Sequence, residues 1–213
     1  MLERGKLISF EGLDGVGKTT QVRLTAEKLQ KRGYPVLVTR EPGGTPLSEA
    51  VRQLLLDPAF EGMSPVAEAF LYAGARAQLV REAILPALAA GKVVLCDRFV
   101  DSSIAYQGYG RGLDLQFLRF INSFVLQGLG RFLTILLDLE PGLALQRGSG
   151  KDRLEQEGLS FRQRVREGYL SLAREAPERV KLIAATGSPE EVQEKVWKHV
   201  LAFLEGNQPG GCF

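Results

Sequence analysis

The sequence is almost without histidine: His199 is the only one in 213 residues. Catalysis through a histidine base and metal sites built from several histidines are thereby all but excluded. His199 itself falls in a C-terminal helical pattern, where a surface or packing role suffices. Cysteine is nearly as scarce. Cys96 ends the apolar run VVLC and reads as a buried strand residue, while Cys212 stands in the polar stretch NQPGGCF. Two such positions make neither a metal pattern nor a disulfide framework. No apolar run approaches the roughly 18 residues of a membrane span. MLERGKLISF lacks the apolar stretch of a secretory signal and Glu3 argues against a transit peptide, so a cytoplasmic protein is expected. Neither sign of charge dominates. The 27 Lys and Arg against 25 Asp and Glu leave +2, too balanced to argue for nucleic acid or an acidic membrane as partner. Positive charge, if used, must be used locally.

What is present is an alternation of short apolar runs with helical patterns. KLISF (6–10), VLVTR (36–40), VVLCD (93–97), FLTILLD (132–138) and VKLIAA (180–185) read as strands. They are β-branched and nearly continuously apolar, as expected of parallel strands covered on both faces. Helical periodicity fits 18–32, 47–56, 65–90, 114–129, 160–176 and 189–205. Ser64-Pro65 and Ser188-Pro189 each place an N-cap before a first-turn proline, and Glu191 completes a capping box with Ser188. The pattern predicts an α/β fold, a doubly wound sheet of about five parallel strands flanked by helices, with ligands at the carboxyl ends of the strands. A single domain over 1–206 is expected, with RGSGKDRLEQEG (147–158) as a small mobile lid and 207–213 as a flexible tail.

Directly behind the first strand stands EGLDGVGKTT, which fits G-x-x-x-x-G-K-[ST] without a mismatch. The segment Gly12, Leu13, Asp14, Gly15, Val16, Gly17, Lys18, Thr19 and Thr20 is predicted to wrap a nucleotide's phosphates. Its glycines let successive N–H groups point at an anion, and the helix beginning at Lys18 adds its positive end. Lys18 would reach the outer phosphates and the Thr19 hydroxyl would ligate Mg²⁺. A ligand-free glycine turn is the plainer alternative, but few such turns also carry Lys-Thr at the helix start.

Two strands end in aspartate, Asp97 and Asp138. Either suits the acid that holds Mg²⁺ opposite the P-loop threonine, and Asp97, followed by Arg98, is the preferred one. Arg40, Arg52, Arg76, Arg98, Arg111, Arg147 and Arg153 fall at one end of the predicted sheet or on helices that can face it. Singly each is an ordinary surface residue. Together with a P-loop they suggest a transferase that joins two mutually repelling phosphates, since arginine grips phosphate through a planar fork.

EGLDGVGKTT, TREPGGT (39–45), DRF (97–99) and SSIAYQGYGRG (102–112) occur here in the order seen in thymidylate kinases, and the chain resembles the bacterial members of that family over about residues 5–205. The resemblance implies ATP and dTMP as substrates, Mg²⁺ as cofactor and a homodimer. It implies that Asp14 meets the 3′-hydroxyl of dTMP, and that Glu41 and Arg52 lie around its phosphate and the metal. Arg98 would grip the acceptor phosphate. Ser102, Ser103, Tyr106 and Gln107 would line sugar and base, with Gln107 near the base edge. Tyr72 would stack on the base and Arg76, one turn on, would read it, while Phe70 points away and is assigned to core. Some members carry arginine where Gly15 stands, and the bacterial pattern supplies that cation from the lid. Arg147, Lys151 and Arg153 are the candidates, with Arg153 preferred. Other nucleoside monophosphate kinases share the P-loop and differ on the base side. A GTPase-type switch is the rival of another class, but neither DRFV nor DLEP supplies D-x-x-G, and no N-K-x-D guanine reader appears.

Overall fold

The computed structural model describes residues 5–147, 153–154 and 156–206. In it the five apolar runs form β1 (Lys6–Glu11), β2 (Val36–Arg40), β3 (Val93–Asp97), β4 (Phe132–Asp138) and β5 (Val180–Ala184). All pairs are parallel, in the order β2-β3-β1-β4-β5. The core divides on the strands' period of two. Ile8, Phe10, Val93 and Leu95 pack on one face, and Leu7, Val94 and Cys96 on the other. Coverage on both faces holds for the three central strands only. At the edges Val38 and Leu182 are about half exposed, at 50% and 49%.

The helices that follow the strands are α1 (Lys18–Lys31), α2 (Pro46–Leu56), α3 (Pro65–Leu79), α6 (Leu115–Val125), α8 (Leu159–Glu175) and α9 (Pro189–Leu204). Ser64 and Ser188 cap α3 and α9, and the Ser188–Glu191 box closes in both directions. The single helix expected over 65–90 is broken instead. A π turn, Val80–Ile84, intervenes before a short α4 (Leu85–Ala89) that carries Pro86. Proline brings no N–H to the turn before it, and the ladder widens there to pass it.

Two helical pieces lie where periodicity offered no signal. Residues 100–110 wind as α5 (Val100–Ser103) and a π segment (Ile104–Gly110), too glycine-rich and too buried to show a polar face. α7 (Pro141–Arg147) is only two turns long. Register then sets the stage for chemistry. Asp97 lies beside Phe10 on one side and Arg40 on the other, so the carboxyl ends of β1, β2 and β3 meet in one place.

Candidate active site

The P-loop fills the space between β1 and α1 and has no room for larger residues at two of its glycines. Gly12 has φ +133, and a Cβ there would stand 2.3 Å from the Leu137 carbonyl oxygen. At Gly15 a Cβ would meet the Ala144 carbonyl oxygen at 2.2 Å and the Arg147 Cβ at 3.2 Å. α7 therefore occupies the space that an arginine at position 15 would need, and it brings Arg147 to the same spot. Gly17 opens α1 in the left-handed region with no side-chain cap. The first amides of α1 are thus left for an anion rather than a capping oxygen.

Lys18 is buried, and its Nζ donates to the carbonyls of Gly12 and Leu13 at 3.1 and 2.8 Å, with Asp14 at 3.6 Å. Burial first, and Arg98 next, lower its pKa from the ordinary lysine value. Thr19 Oγ1 donates to Asp97 Oδ2 at 2.6 Å. These groups line an open cavity of about 450 Å³ with Arg40, Arg52 and Arg147 on its walls.

A second, narrower cavity of about 80 Å³ abuts the first and is lined by Pro42, Leu56, Tyr72, Ser102, Ser103, Tyr106, Gln107 and Leu154. Asp14, Glu41, Arg52 and Arg98 line both. Arg98 is the hub. It is the one described non-glycine residue at positive φ, +69. Its NH2 donates to Asp14 at 2.5 Å and to the Tyr106 hydroxyl at 3.0 Å, and its NH1 to Gly12 O, Ser102 and Tyr169 at 3.2 Å each. Burial raises the Asp14 carboxyl, but Arg98 and Lys18 outweigh it and hold it well below the usual carboxylate range.

The arginine's posture is set from below by Glu11, which accepts from the Phe99 N–H at 2.7 Å, Ser102 at 2.6 Å and Tyr169 at 2.9 Å. Burial, with Asp101 adding to it, pushes Glu11 up to about 7. Neither Glu11 nor Tyr169 was picked out by sequence reading. An acid closing an otherwise apolar strand was the available signal for Glu11; Tyr169, one aromatic on an amphipathic helix, gave none.

The remaining expected residues fall as follows. Arg76 is buried, donates to Glu41 Oε2 at 2.7 Å and Asn122 Oδ1 at 2.6 Å, and is not among the residues lining either cavity. Glu41 Oε1 is buried with no hydrogen-bond partner, and burial, against the opposing pull of Arg76, raises that carboxyl to about 7. Phe70 is not core: it is 54% exposed and rests edge-on against Phe117 at 5.7 Å. Its helix turns that position outward, toward solvent. Of the lid, Arg153 is buried away from the P-loop, donating to Leu55 O at 2.9 Å and Glu68 Oε2 at 2.6 Å, whereas Arg147 lines the phosphate cavity. Lys151 and the tail 207–213 lie outside the described residues. Asp138 is taken by Arg166, at 2.7 and 2.8 Å, which leaves Asp97 as the strand-end acid beside Thr19.

Among the described residues no three Asp, Glu, His or Cys gather into a metal cluster. The Thr19–Asp97 pair nonetheless suits a hard cation that keeps its waters and phosphate ligands. Because the threonine proton points at Asp97, its lone pairs remain for such an ion.

A P-loop on an all-parallel sheet, joined across shared arginines to a second cavity, defines a phosphotransferase of the nucleoside monophosphate kinase class. The family model for thymidylate kinase matches residues 10–196. The chain is 52% identical over 191 residues to a thymidylate kinase of Symbiobacterium thermophilum, covering 89% of each chain. It is 50% identical to one of Pelotomaculum thermopropionicum, covering 96% of this chain and 98% of that one. A solved thymidylate kinase from Ehrlichia chaffeensis superposes with a TM-score of 0.78 at 34% identity, covering 92% of this chain and 99% of that one. The chain belongs to the thymidylate kinase family.

Proposed function

We propose that the protein transfers the γ-phosphoryl of ATP to dTMP, giving ADP and dTDP, and that it works in the cytoplasm. The observation that carries this reading is the pair of abutting cavities with Asp14, Glu41, Arg52 and Arg98 between them. One is walled by a P-loop and suits a triphosphate. The other is walled by aromatic and amide side chains and suits a pyrimidine nucleoside, its phosphate directed at Arg98 and Arg52.

The acceptor is an anionic phosphate oxygen and needs no strong base, which agrees with a site devoid of histidine. Catalysis then rests on positioning and on charge. Lys18 and the amides opening α1 hold the donor's phosphates. Arg98 and Arg52 hold the acceptor in line and offset the repulsion between two anions. Thr19 and Asp97 would hold Mg²⁺, which when bound neutralises charge on the donor's phosphate oxygens. Tyr72 stacks on the base. The segment 147–158 acts as a lid that excludes water and supplies a cation at the transferring group.

A homodimer is proposed through α6 and α3. Phe120 and Phe124 are 63% and 55% exposed and stack edge-on at 5.0 Å, beside the exposed Phe70. An apolar patch of that kind marks an interface. Sedimentation of the parent and of Phe120→Asp tests it, with dimer and monomer expected respectively.

Coupled ADP release with ATP and a panel of nucleoside monophosphates tests the reaction. Turnover should require dTMP or a close analogue. Equal slow ADP release with and without every monophosphate would overturn it.

A further inference from the structure

Glu68, in the first turn of α3, is wholly buried, yet its side chain takes no part in capping that helix, which Ser64 does through the Ala67 N–H. Its carboxylate instead gathers three donor residues from two other segments. Gln107 Nε2 donates to Oε1 at 2.8 Å, and Arg153 NH2 to Oε2 at 2.6 Å. Arg111 donates to both oxygens at 3.3 and 3.4 Å. Each oxygen is therefore committed to accepting. A glutamine side chain has two unlike ends, one donor and one acceptor, and its neighbours decide which way it lies. Here the neighbour is a carboxylate. Turning the Gln107 amide over would set its carbonyl oxygen against Glu68 Oε1, two acceptors face to face, with the buried Gln107 oxygen left unpaired. The NH₂ end is pinned to Glu68, and the carbonyl end is what the amide has left to offer.

Gln107 lines the acceptor cavity alongside Tyr72 and Tyr106. Arg76, the base reader implied by family resemblance, bonds Glu41 through Nε and Asn122 through NH1 and is not among the residues lining that cavity. The ring N3 edge of a pyrimidine calls for a further reader. Thymine and uracil carry a ring N3–H donor; cytosine carries a bare N3 acceptor at the same place. A fixed carbonyl oxygen pairs with the first two and repels the third.

We propose that Glu68, a residue that touches no substrate, is a specificity-determining positioning residue: it locks Gln107 so that the cavity presents an acceptor to the pyrimidine N3 edge. The proposal rests on the thymidylate reading above and adds the group that enforces it. Glu68 performs this task because it is an acceptor at both oxygens. Glutamine in its place offers either end to Gln107, and the lock is lost.

The test is kcat/KM for dTMP, dUMP and dCMP on the parent, Glu68→Gln, Glu68→Asp and Gln107→Met. The parent should favour dTMP over dCMP by on the order of 10² or more, with dUMP much nearer dTMP. Glu68→Gln should shrink the dTMP/dCMP ratio about tenfold or more, and Glu68→Asp, which keeps the acceptor, should largely restore it. Gln107→Met should lower dTMP and dUMP together and raise dCMP, since the oxygen that repels cytosine N3 is gone. A Glu68→Gln enzyme that loses the same factor on all three substrates has only a packing defect, and overturns the proposal. Should that variant fail to fold, Gln107→Met decides alone, because an unchanged dTMP/dCMP ratio there removes the reader that Glu68 is said to orient. A parent inert toward both dTMP and dUMP overturns the thymidylate reading itself, whereas a dTMP-selective parent with an unmoved ratio in Glu68→Gln overturns this inference alone.

Discussion

Thr19 and Asp97 are 78 residues apart in sequence and share a 2.6 Å hydrogen bond, the threonine hydroxyl donating to the carboxylate. The bond joins the first turn of α1 to the tip of β3 and orients the hydroxyl's lone pairs toward the phosphate cavity. Asp97→Asn should therefore raise the Mg²⁺ concentration needed for half-maximal activity by about 10–100-fold, the usual effect of losing a group that orients a metal ligand. A Mg²⁺ titration of initial rates reads it; an unshifted midpoint removes Asp97 from the metal site.

Lys18→Ala should leave the fold intact and lower kcat by on the order of 10²-fold or more, since the ammonium acts on phosphate charge that develops in transfer. In the resting protein its partners all belong to the P-loop, the Gly12 and Leu13 carbonyls and the Asp14 carboxylate, and not to the core. Circular dichroism and single-turnover kinetics together check this. A folded variant with near-normal turnover would falsify the P-loop mechanism.

The two lid-side arginines should separate by kinetics, because their surroundings differ. Arg147 lines the phosphate cavity, and Arg147→Ala should lower kcat far more than it raises KM for dTMP. Arg153 is tied to Glu68 and to the Leu55 carbonyl beside the acceptor cavity. Arg153→Ala should weaken dTMP and lower the melting temperature. If Arg153→Ala reduces kcat alone, the arginine leaves Glu68 during turnover and serves the transferring phosphoryl itself.

Tyr72 and Tyr106 both line the acceptor cavity, and Tyr72 is the one assigned to stack on the base. Tyr72→Phe should change dTMP binding little, while Tyr72→Ala should weaken it by roughly 1–3 kcal/mol, the range of a base–aromatic stack. Calorimetric titration with dTMP measures both. Equal losses in the two variants would place the effect on the hydroxyl instead of the ring.

Burial raises Glu11 and Glu41 from the ordinary 4.5 to about 7. A carboxyl whose folded pKa is raised favours the folded state below its unfolded value, and that contribution disappears as pH climbs through the folded pKa. The melting temperature should thus decline between about pH 4.5 and 7 and level off above. Glu11→Gln, which keeps the shape but cannot ionise beside Asp101, should flatten part of that decline. A parent-like slope in Glu11→Gln would show that Glu11 is ionised throughout the range.

Much of this molecule was legible in order along the chain. Five strands fell within a residue of their predicted ends, because continuous apolar β-branched runs have few alternatives to a sheet covered on both faces. The P-loop was legible for a different reason: its glycines, lysine and threonine form a contiguous motif, although Gly12 and Gly15 also make room for the distant Leu137 and Ala144 carbonyls. Local signals also placed the caps of α3 and α9.

Where a side chain ends up among groups distant in sequence was decided only by the tertiary structure. Arg76, Arg147 and Arg153 look alike in the sequence, yet one is enclosed by Glu41 and Asn122, one lines the phosphate cavity, and one is held on Glu68. Phe70 reads as core and stands in solvent. The 100–110 segment hides its helix because it is buried on all sides, so no polar face marks its period. Sequence by itself determined the five strands, the caps of α3 and α9 and the phosphate-binding motif, whose signals are contiguous along the chain. The partners of buried charges came from packing, since a desolvated guanidinium or carboxylate goes wherever the fold brings an opposite charge or a donor within reach.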